Sequence, residues 1–422
     1  MRHLAGREAR HVKFHREIGV SQAVEHSARL VRSVVLHRQV FVLVRRGGQH
    51  FLRGLLLGGG AGRGEGRQQA GEVTAGDRHG VDCTRNRGRA YHSAGGISVR
   101  RLFSFALTAL LAVPVFAQQS RKAPADIRPG SITYEDVAYP YPVSFLPLKL
   151  YGQDVRMAYM DVPPAGAPNG RTVVLFHGMN FGGFYFGGPI DALRNAGYRV
   201  VVPDQIGFGR SSKPVIPYNF HDMALNTRTL LESLGIAKVS VVGHSMGGML
   251  AARFSASYPD MTEKTVLYDP IGLTDVRWTQ PWPGAEKAYE ALMARTHDQA
   301  WQAAYANIQR YFPDAWKPEY EQYVRILYAP TLSGDWPRLA MVQATYREIT
   351  YLDPVVHDWA HIKSKTLVLG GERDGQDFPA RAKHIADTIP GAQLYLIPNV
   401  GHVPHLQVPE VFNRELLKFL GE

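Results

Sequence analysis

The chain has 422 residues, 45% hydrophobic and 20% charged, a balance that fits a globular protein and excludes wholesale disorder. Its net charge of +11 belongs to the front end: residues 1–101 hold 19 Lys+Arg against 7 Asp+Glu, whereas residues 118–422 hold 29 against 30. The neutral bulk excludes a nucleic-acid partner as the organising theme, and the single cysteine, Cys83, excludes intrachain disulfides and any Cys-based zinc site.

Residues 1–98 do not read as a domain. They hold 16 Arg but one Lys, and 17 of the 42 Gly, with no sustained helical or alternating period. The apolar patch Val34–Val44 is broken by His37, Arg38 and Gln39, and the glycine-rich run Gly58–Gly66 lacks the strand–helix frame of a nucleotide site. Next come Arg100-Arg101, an apolar stretch from Leu102 to Phe116, small Ala117 and polar Gln118-Gln119. The stretch is shorter than the ~20 residues of a membrane span and has the layout of a secretory signal. The expectation is a start near Val99, a signal over 99–117 cleaved near Ala117, and a secreted or periplasmic chain from Gln118 with no stable membrane insertion. Residues 1–98 are then a non-native extension of the reading frame, or else a basic disordered extension.

From Arg171 short apolar runs alternate with amphipathic stretches. The runs are Val173–Phe176, Val200–Val202, Val239–Val242, Val266–Tyr268, Leu367–Leu369 and Leu394–Ile397. Continuous Val/Leu runs of this length predict strands covered on both faces. Helical patterns lie between them at Ile190–Asn195, Met223–Leu234, Met246–Tyr258, Pro379–Thr388 and Val411–Leu420. This alternation predicts an α/β fold, a mostly parallel sheet with helices on both faces. Phe145–Leu150 and Val155–Val162 read as a leading antiparallel pair. The core is thus expected over 118–273 and 362–422, interrupted by a helical cap at 274–361 that holds all six Trp. Most of these aromatics are expected to pack inside the cap, a few to face a substrate pocket.

The chemistry centres on Gly243-His244-Ser245-Met246-Gly247, a G-x-S-x-G elbow between a predicted strand and a predicted helix. Such a turn pushes the serine hydroxyl out, and small neighbours let strand and helix approach. A serine needs a base, and the base an orienting acid. Asp374, after the strand Leu367–Gly371, is the expected acid, with Glu372 the fallback. His402, in the loop after the last strand, is the expected base, with His405 a weaker competitor. The backbone N–H groups of Met246 and Met179 are the expected oxyanion donors, and His177 is expected to hold the Met179 loop. Phe181, Phe184 and Tyr185 beside that loop, and Trp278 and Trp282 in the cap, are the candidate pocket walls. His357 and His361 share i,i+4 spacing, but no third ligand accompanies them, so no metal site is expected.

Residues from about 140 to 422 resemble the α/β-hydrolase family with a helical cap. The resemblance is carried by His177-Gly178, Asp204-Gln205-Ile206-Gly207-Phe208-Gly209, Gly243–Gly248, Gly371–Asp374 and Gly401-His402. It implies an eight-stranded, mostly parallel sheet and a structural role for the Asp204 turn. Members with Asp at the nucleophile position are dehalogenases and epoxide hydrolases, and Ser245 argues against both. The combined reading is an exported serine hydrolase acting on an ester or lactone of an apolar or aromatic small molecule, with no cofactor. Amide, thioester and carbon–carbon bond hydrolysis use the same constellation, as do peracid-forming haloperoxidase-like members. A non-catalytic ligand binder on the same fold is the alternative of another class. Oligomeric state is left open.

Overall fold

The computed structural model describes residues 122–313 and 316–422, together with the backbone of three strands between residues 33 and 56. The chain divides into two compact units at residue 103. In the first, β1 (Ser33–Leu36), β2 (Gln39–Arg46) and β3 (Gln49–Leu56) form an antiparallel meander. This departs from the expectation of no regular element. The apolar patch that reads as broken is shared by two paired strands, with Val34 opposite Phe41 and Val35 opposite Val40. The signal-like segment 99–117 and the glycine-rich run 58–66 lie outside the described residues.

The second unit is built on one eight-stranded sheet. Its strands are β4 (Ser144–Leu150), β5 (Gln153–Val162), β6 (Thr172–Phe176), β7 (Arg199–Pro203), β8 (Val239–His244), β9 (Thr262–Tyr268), β10 (Lys365–Gly371) and β11 (Gln393–Ile397). They lie in the order β11-β10-β9-β8-β6-β7-β5-β4. All pairs from β7 to β11 are parallel, while β4 and β5 form the antiparallel margin. The predicted α/β architecture and the leading antiparallel pair are both present.

Alternation along the buried strands divides the core into two layers. Val174 and Phe176 of β6 face one layer with α2 (Phe220–Ser233), α3 (Met246–Ser257) and α9 (Phe378–Thr388). Val173 and Leu175 face the other, with α1 (Gly187–Asn195) and α11 (Pro409–Gly421). A short α10 (Pro404–Gln407) precedes α11. Between β9 and β10 the chain forms α4 (Ala285–Met293), α5 (His297–Gln309), α6 (Glu321–Tyr328), α7 (Trp336–Arg347) and α8 (Ile349–Leu352). Thr296 and Gln299 cap α5 reciprocally, each side chain accepting from the other's backbone N–H. Among the described residues no helix is long and apolar enough to cross a membrane.

Two consequences of the topology position the site. After β6, α1 leads to β7 on one side, and the chain then returns to lay β8 on the other side of β6. The crevice at the carboxyl ends of β6 and β8 is therefore a switch point, the place where open α/β sheets bind ligands. The five inserted helices enter after β9 and return before β10. The return is fastened by Arg253 of α3, which reaches Asp358 at 2.5 Å through Nε and Asp353 at 2.9 Å through Nη1. Asp353 also accepts from the Phe220 N–H at the start of α2. Arg253→Ala leaves two largely buried carboxylates without their cation. It is expected to cost about 3 kcal/mol in urea unfolding, and neutralising both carboxylates as Asn in the same variant should recover part of that loss.

Candidate active site

Ser245 sits between β8 and α3 with φ 57° and ψ −118°. A non-glycine residue in this region carries roughly 1–3 kcal/mol of strain and persists only where its surroundings enforce it. The surroundings here are close-packed. A Cβ on Gly243 would lie 2.0 Å from the Gly247 carbonyl oxygen, and one on Gly247 would lie 2.2 Å from that of Phe176. The Ser245 N–H donates to the Tyr268 carbonyl at 3.1 Å, and the Ser245 carbonyl accepts from Gly248 at 2.9 Å. Small residues at 243 and 247 are thus a steric requirement of the turn.

His402 and Asp374 arrive from the far half of the sheet. The His402 N–H donates to the Tyr311 carbonyl at 3.0 Å, and its ring stacks on Tyr311 with centroids 4.7 Å apart. Its Nδ1 lies 2.9 Å from Asp374 Oδ2. An ionised carboxylate only accepts, so Nδ1 carries a proton in this bond. Ser245, Asp374 and His402 line one cavity of about 470 Å³. Glu372 is turned elsewhere: its Oε2 accepts from the Asn399 N–H. His405 is buried against Tyr185 and Phe186 with neither ring nitrogen bonded among the described residues. Burial, with the nearby His402, pushes it down to about 3.

Met179 borders the same cavity. Neither its N–H nor that of Met246, the first residue of α3, donates to any group among the described residues. His177 holds the Met179 loop as expected, donating from Nδ1 to the Gly178 carbonyl at 2.9 Å and accepting the Gln205 N–H on Nε2 at 3.0 Å. Asp204 accepts from the Tyr139 hydroxyl, the Gly183 N–H and the Arg210 N–H, which fixes the neighbouring turn.

Two residues of the site escaped the sequence reading. One is His244, which motif matching treats as an arbitrary residue. Its Nε2 lies 2.7 Å from the His402 carbonyl and its Nδ1 lies 2.7 Å from the Tyr185 hydroxyl. A carbonyl only accepts, so Nε2 carries the proton and Nδ1 accepts from Tyr185. That hydroxyl in turn accepts the Gly178 N–H at 2.9 Å. Burial and the neighbouring His402 and His405 hold His244 well below the usual histidine range. Tyr185→Phe leaves the Gly178 N–H and His244 Nδ1 buried and unpaired. The expected loss is about 1–3 kcal/mol of unfolding free energy, measured by denaturant titration beside a Phe186→Leu control in the same layer.

The other is Asp269, immediately after β9, at φ 43°. Its Oδ1 accepts the Gly371 N–H at 2.8 Å, while Oδ2 is buried with no partner among the described residues. Donor atoms of Asp269, Asp374 and His402 lie within 4.8 Å of one another. They are the described residues best placed to converge on a cation, but the His402–Asp374 hydrogen bond already accounts for the grouping. Burial, and then the Asp374 charge, push the Asp269 carboxyl well above the usual range. The folded state therefore keeps a proton there that the unfolded chain releases above its ordinary value of 3.8. Stability drains away with rising pH in that window. Asp269→Asn keeps the acceptor for Gly371 and removes the titration, so its stability relative to the parent should improve as pH rises from 4 toward neutrality. Asp269→Ala should lose about 1–3 kcal/mol near pH 4, a deficit that narrows as pH rises because it too removes the titration.

The pocket walls differ from expectation. Phe181 lines a second cavity of about 570 Å³, which shares Met179, Asn180 and Arg347 with the Ser245 cavity. Phe184 borders a different hollow, with Tyr323 and Ile326. Tyr185 is buried and committed to His244. Trp278 and Trp282 are 87% and 58% exposed and line neither cavity; the Trp282 indole donates to Glu348 Oε2. Trp301 and Trp359 are core residues. The cap side of the second cavity mixes five alanines, Ala288 and Ala291 of α4 and Ala300, Ala303 and Ala304 of α5, with larger side chains that include Trp336 and Tyr346 of α7. His357 bonds Asp275 at 3.1 Å.

Comparison with known proteins follows the same line. The chain is 31% identical over 288 residues to a 2-hydroxy-6-oxo-6-phenylhexa-2,4-dienoate hydrolase of Burkholderia cepacia, covering 60% of this chain and 89% of the relative. It is 26% identical over 272 residues to Lipase 1 of Psychrobacter immobilis, covering 60% and 76%. The crystal structure of a probable hydrolytic enzyme from Pseudomonas aeruginosa PAO1 superposes with a TM-score of 0.65 at 35% identity, covering 69% of this chain and 98% of that one. Residues 173–415 match the model of the alpha/beta hydrolase family, and to that family this chain belongs.

Proposed function

We propose that the protein is a serine hydrolase whose nucleophile is Ser245. One observation carries the reading: Ser245, on its strained turn, shares a cavity wall with His402, and the His402 Nδ1 is held by Asp374 at 2.9 Å. In this reading Ser245 Oγ attacks the substrate carbonyl carbon as His402 Nε2 takes its proton. The tetrahedral oxyanion accepts the unengaged N–H groups of Met179 and Met246. His402 returns the proton to the leaving group as the bond breaks, and water repeats the cycle on the acyl-enzyme. Asp374 keeps the imidazole in the required tautomer and stabilises the imidazolium.

An ester or lactone of a small organic molecule is the substrate this chemistry suits best. The similarity to a hydrolase named for a dienoate supports carbon–carbon bond hydrolysis as the second reading, since the same serine would attack a ketone carbonyl. A non-catalytic ligand binder is disfavoured because nucleophile, base, acid and the Met179 loop all border one cavity. Export belongs to the proposal on the strength of residues 100–117 alone.

The test is fluorophosphonate labelling of the full chain, with turnover of p-nitrophenyl esters of increasing length. Ser245→Ala is expected to abolish both, and Asp374→Asn to lower kcat by roughly 10³–10⁴. Labelling without ester turnover would move the assignment to the carbon–carbon reading. A folded protein that resists labelling would overturn the nucleophile assignment.

A further inference from the structure

The cavity that adjoins the Ser245 cavity is bordered by two exposed arginines and by no acid. Arg295, Arg347 and His297 line the 570 Å³ cavity, and no Asp or Glu does. Arg347, at the end of α7, also borders the Ser245 cavity, together with Arg310. Among the other arginines, Arg171, Arg210 and Arg338 donate to backbone carbonyls, and others pair with acids. Arg199, Arg228, Arg277, Arg325, Arg381 and Arg414 each pair with an acid within 2.9 Å. No carboxylate among the described residues pairs with Arg295 or Arg347; Arg347 lies over the Tyr346 ring, 6.0 Å from its centroid, and interacts with the Tyr346 hydroxyl. Both side chains reach solvent; partial burial, and then the Arg347 guanidinium, lower Arg295 below the usual arginine range, so the two cations feel one another.

Like charges in one cavity repel, and the repulsion is relieved when an anion enters between them. Guanidinium forks suit planar or tetrahedral oxyanions in particular. We infer that this cavity binds an oxyanionic group of the substrate, a carboxylate or a phosphate remote from the scissile bond, on Arg295 and Arg347. The alanines of α4 and α5 leave room for the chain joining the two ends, and the shared border at Met179, Asn180 and Arg347 gives the path to Ser245. The inference rests on the serine hydrolase reading and narrows its substrate class from apolar esters to anionic ones.

Matched probes separate the two. Mono-p-nitrophenyl esters of linear dicarboxylic acids, four to eight carbons long, are compared in kcat/KM with their methyl-capped diesters, which differ only in charge. At one length or more the free acid is expected to exceed its methyl ester at least tenfold. That ratio should fall to near one in Arg347→Gln and to drop clearly in Arg295→Gln, with Arg414→Gln as a surface control. Protection of Ser245 from fluorophosphonate by the free dicarboxylates, against their monoamides, gives the same comparison without turnover. Alkyl phosphates in the same assay decide between carboxylate and phosphate. Ratios at or below one at every length, with equal protection by acids and amides, would overturn the inference and leave the hydrolase intact. Failure of Ser245 to label at all would instead sink the underlying reading.

Discussion

The hydrogen bonds of one neutral imidazole hold this site together. His244 accepts from the Tyr185 hydroxyl and donates to the His402 carbonyl, while Tyr185 receives the Gly178 N–H. Through these bonds the loop after β6, the turn after β8 and the loop after β11 become one unit. The arrangement works only for an uncharged ring. An imidazolium would turn a donor toward a hydroxyl whose proton already points at it, inside a core where a lone charge has no water to stabilise it. The pressure that keeps His244 neutral is the same close packing that holds Ser245 at a positive φ. Neighbouring glycines leave no room for the turn to relax, and the ring fills the space behind it.

How much of this was legible in the sequence depends on whether the signal is local. The strands were, because each is a short Val/Leu run covered on both faces, and the elbow was, because Gly243 and Gly247 are demanded by sterics within the motif itself. The order Ser245, Asp374, His402 could be read because each follows a strand. Asp269 also follows a strand, in Tyr268-Asp269-Pro270, yet nothing nearby distinguishes it from a turn aspartate. Its significance comes from Gly371 and Asp374, some hundred residues away. His244 and Tyr185 are similar cases, since the partners that give each a role are distant in sequence. In the front end the apolar patch Val34–Val44 was visible but its division into two strands was not.

The cap shows the limit of composition as a guide. Six tryptophans between two core segments suggest an aromatic pocket. Trp301 packs instead on Tyr328 and Trp316 on Tyr305, Trp278 stands in solvent, and Trp336 borders the 570 Å³ cavity. The faces of α4 and α5 turned to the cavity carry five alanines beside Leu292, Met293, His297 and Asn307. A helical period gives both faces of a helix, but which of them meets the cavity is set by neighbours that the period does not reveal.

The insertion between β9 and β10 also bears on how the molecule comes to be. These strands pair in parallel, yet Tyr268 ends one and Lys365 begins the other. For a flexible chain, closing a gap of that length costs roughly 4 kcal/mol of entropy beyond a fixed initiation term. The helices between them form from local contacts and shorten the effective gap once folded. Until they do, β10 must close that long gap to reach the edge of β9. Asp374 and His402 follow those two strands, whereas Ser245 belongs to the half that can assemble without them. The Ser245 turn can therefore form while Asp374 and His402 are still distant, and the insertion that roofs the site also governs when the three come together.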